Sequence, residues 1–192
     1  MEINLKSKTF VIAGLKNTGK TFLIKNAILN SIPNNVVYDL TGEYKGCKSA
    51  KYIYNATNRQ YSQELIAEVD NFMEKMVNVK KPELVIFEEA DNILPNMRIT
   101  SSALLHLNST CRHFDNERGI AVGYVTRRLP DLNSKIVEIA DYVFLFQLSG
   151  KNDLIYLEQL KKGLSEAMPQ IEQNHKFIIL DGARNFSVHD AI

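Results

Sequence analysis

Short, continuously apolar runs alternate along this chain with longer stretches in which apolar residues recur every three or four positions. Thr9 to Ala13, Val36 to Asp39, Leu84 to Phe87, Ile120 to Val125, Tyr142 to Leu148 and Phe177 to Leu180 are the runs, with a brief one at Tyr52 to Tyr54. Runs of this length, apolar on both faces, predict buried strands. The helical stretches are Thr21 to Asn30, Tyr61 to Val79, Ser101 to Arg112, Pro130 to Ala140 and Leu154 to Lys162. In the second of these, Leu65, Ile66, Val69, Phe72, Met73 and Met76 share one face. Pro82 separates it from the next strand, and Pro130 stands where a helix tolerates proline, in its first turn. Strands alternating with helices predict an α/β fold, with a mostly parallel central sheet covered by helices on both faces. Phe177 to Leu180 is expected to be the last core strand. No repeat, low-complexity tract or linker interrupts the pattern, so residues 1–192 are expected to form one domain.

The chemistry begins where the first strand ends. Gly14-Leu15-Lys16-Asn17-Thr18-Gly19-Lys20-Thr21 matches the phosphate-binding P-loop, GxxxxGK[ST], at every required position. Glycines let the backbone turn its N–H groups onto phosphate oxygens, and the following helix adds its positive dipole end. Lys20 is placed to reach the β- and γ-phosphates, and the Thr21 hydroxyl is a hard oxygen donor for Mg²⁺. Gly14, Lys16, Asn17, Thr18, Gly19, Lys20, Thr21 and Phe22 are therefore the candidate nucleotide-binding residues, with ATP and Mg²⁺ as cofactors. An ordinary strand-to-helix glycine turn would carry the same spacing by chance, but not with a buried strand before it and a helical stripe after it.

A second acidic element supports this. The apolar strand Leu84 to Phe87 ends in Glu88-Glu89-Ala90-Asp91. In a P-loop NTPase a carboxylate at the tip of a strand beside the P-loop strand holds Mg²⁺, often through water, and a second can polarise the attacking water. Glu88 is the candidate metal-side acid, although Asp is the usual residue there, and Glu89 the candidate catalytic base. Asp91 is a spare.

Composition narrows the setting without naming a partner. The 192 residues are 45% hydrophobic and 23% charged, which suits an ordinary globular protein, and the net charge of +1 gives no global sign of nucleic-acid binding. No apolar run has the length of a membrane span. Met1 to Lys6 has no secretory segment, so the expected location is the cytoplasm. Cys47 and Cys111 stand alone, and the four histidines lack metal-ligand spacing.

Four further segments, in order after the P-loop, resemble the FtsK–HerA superfamily of DNA-translocating ATPases. They are Asp39-Leu40-Thr41-Gly42-Glu43-Tyr44, Arg112-His113 with Gly119-Ile120, Thr126 to Leu132, and Ile139 to Phe146. The match runs from about Thr9 to Leu148 and is similar to the genome-packaging ATPases of membrane-containing double-stranded DNA viruses. The resemblance implies a RecA-like fold, a homo-oligomeric ring (a hexamer), double-stranded DNA as cargo, and capsid or vertex proteins as docking partners. Host cytoplasm or the virion would be its setting. It places the family's polar sensor, normally Gln, on Arg127. It also implies an arginine acting on the neighbouring subunit's nucleotide, with Arg112 first and Arg118, Arg127 and Arg128 in reserve. Candidate DNA contacts are Arg98, in the loop from Asn92 to Thr100, and the pair Lys80 and Lys81; Lys161-Lys162 is another basic pair.

Other functions remain open on the residues. A nucleotide or small-molecule kinase shares the P-loop and could use Arg127-Arg128 in a lid. A GTPase-like switch shares Asp39-Leu40-Thr41-Gly42 but would need a guanine-reading N-K-x-D, which the sequence lacks. A morphogenesis or secretion ATPase acting on protein would show the same site.

Overall fold

The computed structural model describes residues 4–98, 100–172 and 175–191. Among them, the strands β1 (Thr9–Ala13), β2 (Asn35–Asp39), β3 (Tyr52–Asn55), β4 (Leu84–Phe87), β5 (Ala121–Thr126), β6 (Tyr142–Leu145), β7 (Phe177–Asp181) and β8 (Phe186–His189) form one sheet. Its order is β3-β2-β4-β5-β1-β6-β7-β8. Every pairing from β3 through β6 is parallel, and β7 and β8 add antiparallel strands at one edge. The sheet is the one the apolar runs predict, because strands covered on both faces have no solvent side to make polar.

Helices cover both faces. The helix 20–31 packs on one side against Phe10, Ile12, Val37, Ile86 and Val125. The helices 63–78, Ser102–Thr110, Ser134–Ile139 and Lys151–Leu160 lie on the other, over Val11, Tyr38, Val85, Phe87 and Tyr124. Helix 20–31 contains a wide π-helical stretch at Ile24–Ile28, and helix 63–78 one at Met73–Asn78. Ser62 caps the second by accepting a hydrogen bond from Leu65 N, and Leu65, Val69, Phe72 and Met73 are buried as their spacing requires. Gly123, in the middle of β5, has a packing reason. A Cβ there would stand 2.5 Å from the Phe10 ring and 2.6 Å from Ile86 Cδ1.

Three expectations are corrected. The stretch Pro130 to Ala140 is not one helix: a 3₁₀ turn at Leu129–Asp131 precedes a shorter helix at Ser134–Ile139. Leu132 bridges to Pro95, Asn133 N donates to Leu94 O, and the Asn133 side chain caps the new helix at Lys135 N. Tertiary pairing and a cap residue override the helical periodicity there. The strand at Tyr142 stops at Leu145, where its neighbour β1 turns into the P-loop. Phe177–Asp181 is the last core strand as expected, and Asp181-Gly182 begins a hairpin into β8, a further strand with no buried residue. Lastly, the strand carrying Glu88 does not lie beside the P-loop strand, since β5 separates β4 from β1. That insertion brings the tip of β5, Thr126-Arg127-Arg128, between the two halves of the site.

Among the described residues no helix is long and apolar enough to cross a membrane. Cys47 and Cys111 are both free thiols, Cys111 being buried.

Candidate nucleotide-binding site

The site lies at the carboxyl ends of the parallel strands, where open α/β sheets place ligands. Ala13 ends β1, and the chain turns through Gly14 to Gly19 into the helix that begins at Lys20. Asn17 (φ 63°) and Gly19 (φ 113°) take left-handed backbone, which wraps the loop tightly. Glycine at positions 14 and 19 is also demanded by packing. A Cβ on Gly14 would meet Phe146 Cβ at 2.5 Å, and one on Gly19 would meet the Phe146 ring at 3.0 Å. Phe146 follows β6, and its N–H donates to Ala13 O, so the sheet itself presses this ring against the loop.

The Lys20 ammonium is buried and donates to Gly14 O at 2.7 Å and Leu15 O at 2.9 Å. Burial lowers its pKa, while the nearby Glu88 and Glu89 carboxylates oppose that shift. Thr18 Oγ1 donates to Leu15 O, closing the loop on itself. These contacts hold the amine over the loop, the place where phosphate oxygens would compete for it.

The acidic half comes from the tip of β4. Glu88 is 4% exposed and accepts a hydrogen bond from Tyr44 Oη at 3.0 Å. Burial pushes its carboxyl up to about 8; the Tyr44 hydrogen bond and Lys20 oppose the rise, and Glu43 and Glu89 add to it. A cation beside such a group favours the ionised form, so cation binding and proton release are linked here. Glu89 adopts left-handed backbone (φ 49°, ψ 49°), which is strained for a residue with a side chain and is found preferentially at functional sites. Its Oε1 accepts from Arg127 Nε at 2.9 Å and pairs with Nη2 at 2.7 Å, a two-nitrogen grip on one oxygen.

Lys16, Asn17, Gly19, Lys20, Thr21, Phe22, Glu88, Glu89 and Arg127 all line a single cavity of about 640 Å³. Gly14 and Thr18 build the loop beneath it. The donor set fits a small hard cation, since the Thr21 hydroxyl and the Glu88 carboxylate are oxygen donors on that one cavity. Mg²⁺ keeps several waters and takes phosphate oxygens, so few protein ligands suffice. Glu88 and Thr21 would hold it, and it would draw charge off the phosphates as they part. Phe22, Phe146, His175 and Phe177 give the cavity an aromatic wall.

Several contributors were missed by sequence reasoning. Glu43 lines the cavity and accepts from Thr21 Oγ1 at 2.9 Å; Tyr44 holds Glu88; Thr126 Oγ1 donates to Asp91 Oδ1 at 2.8 Å. The first two lie in the Asp39-to-Tyr44 segment, which carried a resemblance but no assigned chemistry. His175 and Phe177 carried no sequence signal, because they reach the site only through the antiparallel edge of the sheet.

The remaining arginines and lysines separate into two groups. Arg128 stands beside Arg127 but points to the buried Asp153, its Nε 3.2 Å from Oδ1. Arg112 lies at the opposite edge of the sheet, where it pairs with Asp141 at 2.9 Å alongside Lys8. Arg118 is at that edge too, paired with Glu83 and Asp115. Lys80 lies over the Tyr52 ring, and Lys81 pairs with Asp115. Arg98 lies over the Tyr61 ring on the nucleotide side, beyond β4. The structure therefore does not bring Arg98 together with Lys80 and Lys81. Ile99 of the same loop lies outside the described residues.

No protein-family model matches this chain, and no curated protein does. Solved structures do. One is the DNA-packaging ATPase B204 from Sulfolobus Turreted Icosahedral Virus, 19% identical, covering 98% of this chain and 100% of that one at a TM-score of 0.80. A second is the genome packaging NTPase B204 from Sulfolobus turreted icosahedral virus 2 in complex with ATP-gammaS, 18% identical, covering 99% and 100% at 0.75. The N-terminal domain of zonular occludens toxin from Neisseria meningitidis is 12% identical, covering 97% and 95% at 0.56. The fold is that of a RecA-like P-loop NTPase. In this fold the insertion of β5 between β4 and β1 gives Arg127 its place facing Glu89.

Proposed function

We propose that the chain is a single-domain Mg²⁺-dependent ATPase that works as a homo-oligomeric, hexameric ring and moves double-stranded DNA, as the genome-packaging motor of a virus docked on its capsid. One observation carries the reading. Lys20, Thr21, Glu88, Glu89 and Arg127 meet in one cavity at the carboxyl edge of a RecA-like sheet. The full-length likeness to two packaging ATPases supports the choice of cargo.

In this reading Lys20 and the loop N–H groups bind the phosphates, and Thr21 and Glu88 hold the cation. Glu89 takes the proton of the water that attacks the γ-phosphorus, and the bond to the β–γ bridging oxygen breaks. Glu89 must first leave Arg127, whose guanidinium is then free for the γ-phosphate. Arg127 thus serves as the sensor in place of the family's Gln. The basic residues Arg98, Lys80 and Lys81 would contact DNA phosphates in different places, since they lie at opposite edges of the sheet.

Arg112 is too far from its own P-loop to act there, and it is 64% exposed at its side chain. It is proposed as the residue that completes the neighbouring subunit's site, worth on the order of 10³-fold or more in rate. Mixing Arg112→Ala subunits with wild type is expected to depress ATPase activity more steeply than the mutant fraction. A linear decline would remove Arg112 from that role.

The test of cargo is ATP hydrolysis measured with and without long duplex DNA. Duplex is expected to raise turnover several-fold, whereas an ATPase whose cargo is protein would show none. Absence of stimulation across a range of salt concentrations would overturn the DNA assignment, because phosphate contacts are the salt-sensitive part of such binding.

A further inference from the structure

The turn after β2 folds around one carboxylate. Asp39, 1% exposed, accepts hydrogen bonds from Gly42 N at 2.8 Å, Tyr44 N at 2.9 Å and Thr41 N at 3.2 Å. Gly42 takes left-handed backbone (φ 81°) to allow it. The result is a rigid turn that presents two consecutive side chains to the site. Tyr44, fully buried, donates to Glu88 Oε2. Glu43 accepts a hydrogen bond from the Thr21 hydroxyl at 2.9 Å.

Glu43 is held there by more than that bond. Lys25 Nζ donates to Glu43 O at 2.6 Å and lies 5.1 Å from the centre of the Tyr44 ring. Thr21 and Lys25 are four residues apart, on one face of the same helix, so that face grips Glu43 by its side chain and by its carbonyl.

We propose that Glu43 is a positioning residue for the divalent cation: by accepting the hydrogen bond of the Thr21 hydroxyl, it leaves the oxygen lone pairs of Thr21 facing the cavity. A hydroxyl can donate one hydrogen bond and offer lone pairs to a metal at the same time, but only if an acceptor fixes where the proton goes. Tyr44 does the matching service for Glu88, occupying Oε2 so that Oε1 is the oxygen left for the cation. Both expected protein donors are thus oriented from adjacent residues of one turn, the outer-shell arrangement by which metal sites are tuned.

This inference rests on the ATP-binding reading of the cavity, and the experiment separates the two. Binding of an ATP analogue with a fluorescent ribose label is titrated against Mg²⁺, and again in EDTA, using the full chain. For Glu43→Ala the Mg²⁺ concentration giving half-maximal enhancement is expected to rise about 10- to 100-fold, the usual cost of losing an outer-shell partner. Affinity in EDTA is expected to equal or exceed wild type, because a carboxylate near the phosphates has been removed. Glu43→Gln keeps an oxygen acceptor and is expected to shift less. An unchanged Mg²⁺ requirement, or a parallel loss of affinity in EDTA and in Mg²⁺, would overturn the role of Glu43. Wild-type protein that binds the analogue in neither condition would instead overturn the nucleotide reading itself.

Discussion

Lys20→Ala is expected to abolish tight nucleotide binding while leaving a folded chain. The ammonium lies over the P-loop backbone, 2.7 Å from Gly14 O and 2.9 Å from Leu15 O. Hydrogen bonds to charged groups contribute about 1.5–3 kcal/mol each. Two of them, to β- and γ-phosphate oxygens, therefore represent a factor of at least about 10² in affinity. The fold should survive, because burial disfavours the charged lysine and pushes its pKa down, so removing the charge removes a cost as well as two hydrogen bonds. Fluorescent-nucleotide titration measures the loss, and a thermal melt checks the fold. Wild-type affinity in a folded variant would mean that phosphates bind elsewhere.

The second large effect is expected at Glu89. Glu89→Gln should bind nucleotide within a few-fold of wild type yet lose about 10²–10⁴ in turnover, the range for a general base. An amide oxygen can still accept from Arg127, so the two-nitrogen contact to Glu89 is weakened rather than erased. What disappears is the ability to take a proton from water. Phosphate release in a single-turnover experiment isolates that step from nucleotide exchange. Normal release would shift the role of base to another carboxylate on the cavity, of which Glu43 is exposed and Glu88 is buried behind Tyr44.

Much of this was legible because it is local. A strand buried on both faces must be apolar throughout, so Leu84-Val85-Ile86-Phe87 announced itself and appears in the structure with the same ends. A P-loop must be a tight turn between strand and helix, and its glycines and lysine are adjacent in the chain. The amphipathic helix from Tyr61 lost only its ends, becoming 63–78, since end positions depend on caps such as Ser62. The helix over Pro130 to Ala140 misled for the same reason in reverse. Its periodicity was helical, but Leu94 and Pro95, distant in sequence, offered Leu132 and Asn133 better partners.

The acidic motif shows where local reasoning stops. Glu88-Glu89 could be recognised as a pair, but their difference in environment could not. Glu88 is buried against Tyr44, which comes from the end of β2; Glu89 is turned toward Arg127, from the end of β5. These partners are 44 and 38 residues away along the chain and become neighbours only through the parallel sheet order. The same holds for His175 and Phe177 of the aromatic wall, which β7 brings in by running antiparallel to β6.

By itself, then, the sequence determined the strand–helix alternation, the P-loop turn and the acidic strand tip. Each depends on residues within one or two turns of one another, where spacing dictates geometry. Only the tertiary structure decided that β5 lies between the two halves of the site and that Arg127 grips Glu89. It also decided that Glu43 accepts the Thr21 hydroxyl's hydrogen bond and that Arg112 faces away from its own P-loop. Those facts depend on which strand lies beside which, a choice made by burial of both sheet faces together, and no single stretch of the chain encodes it.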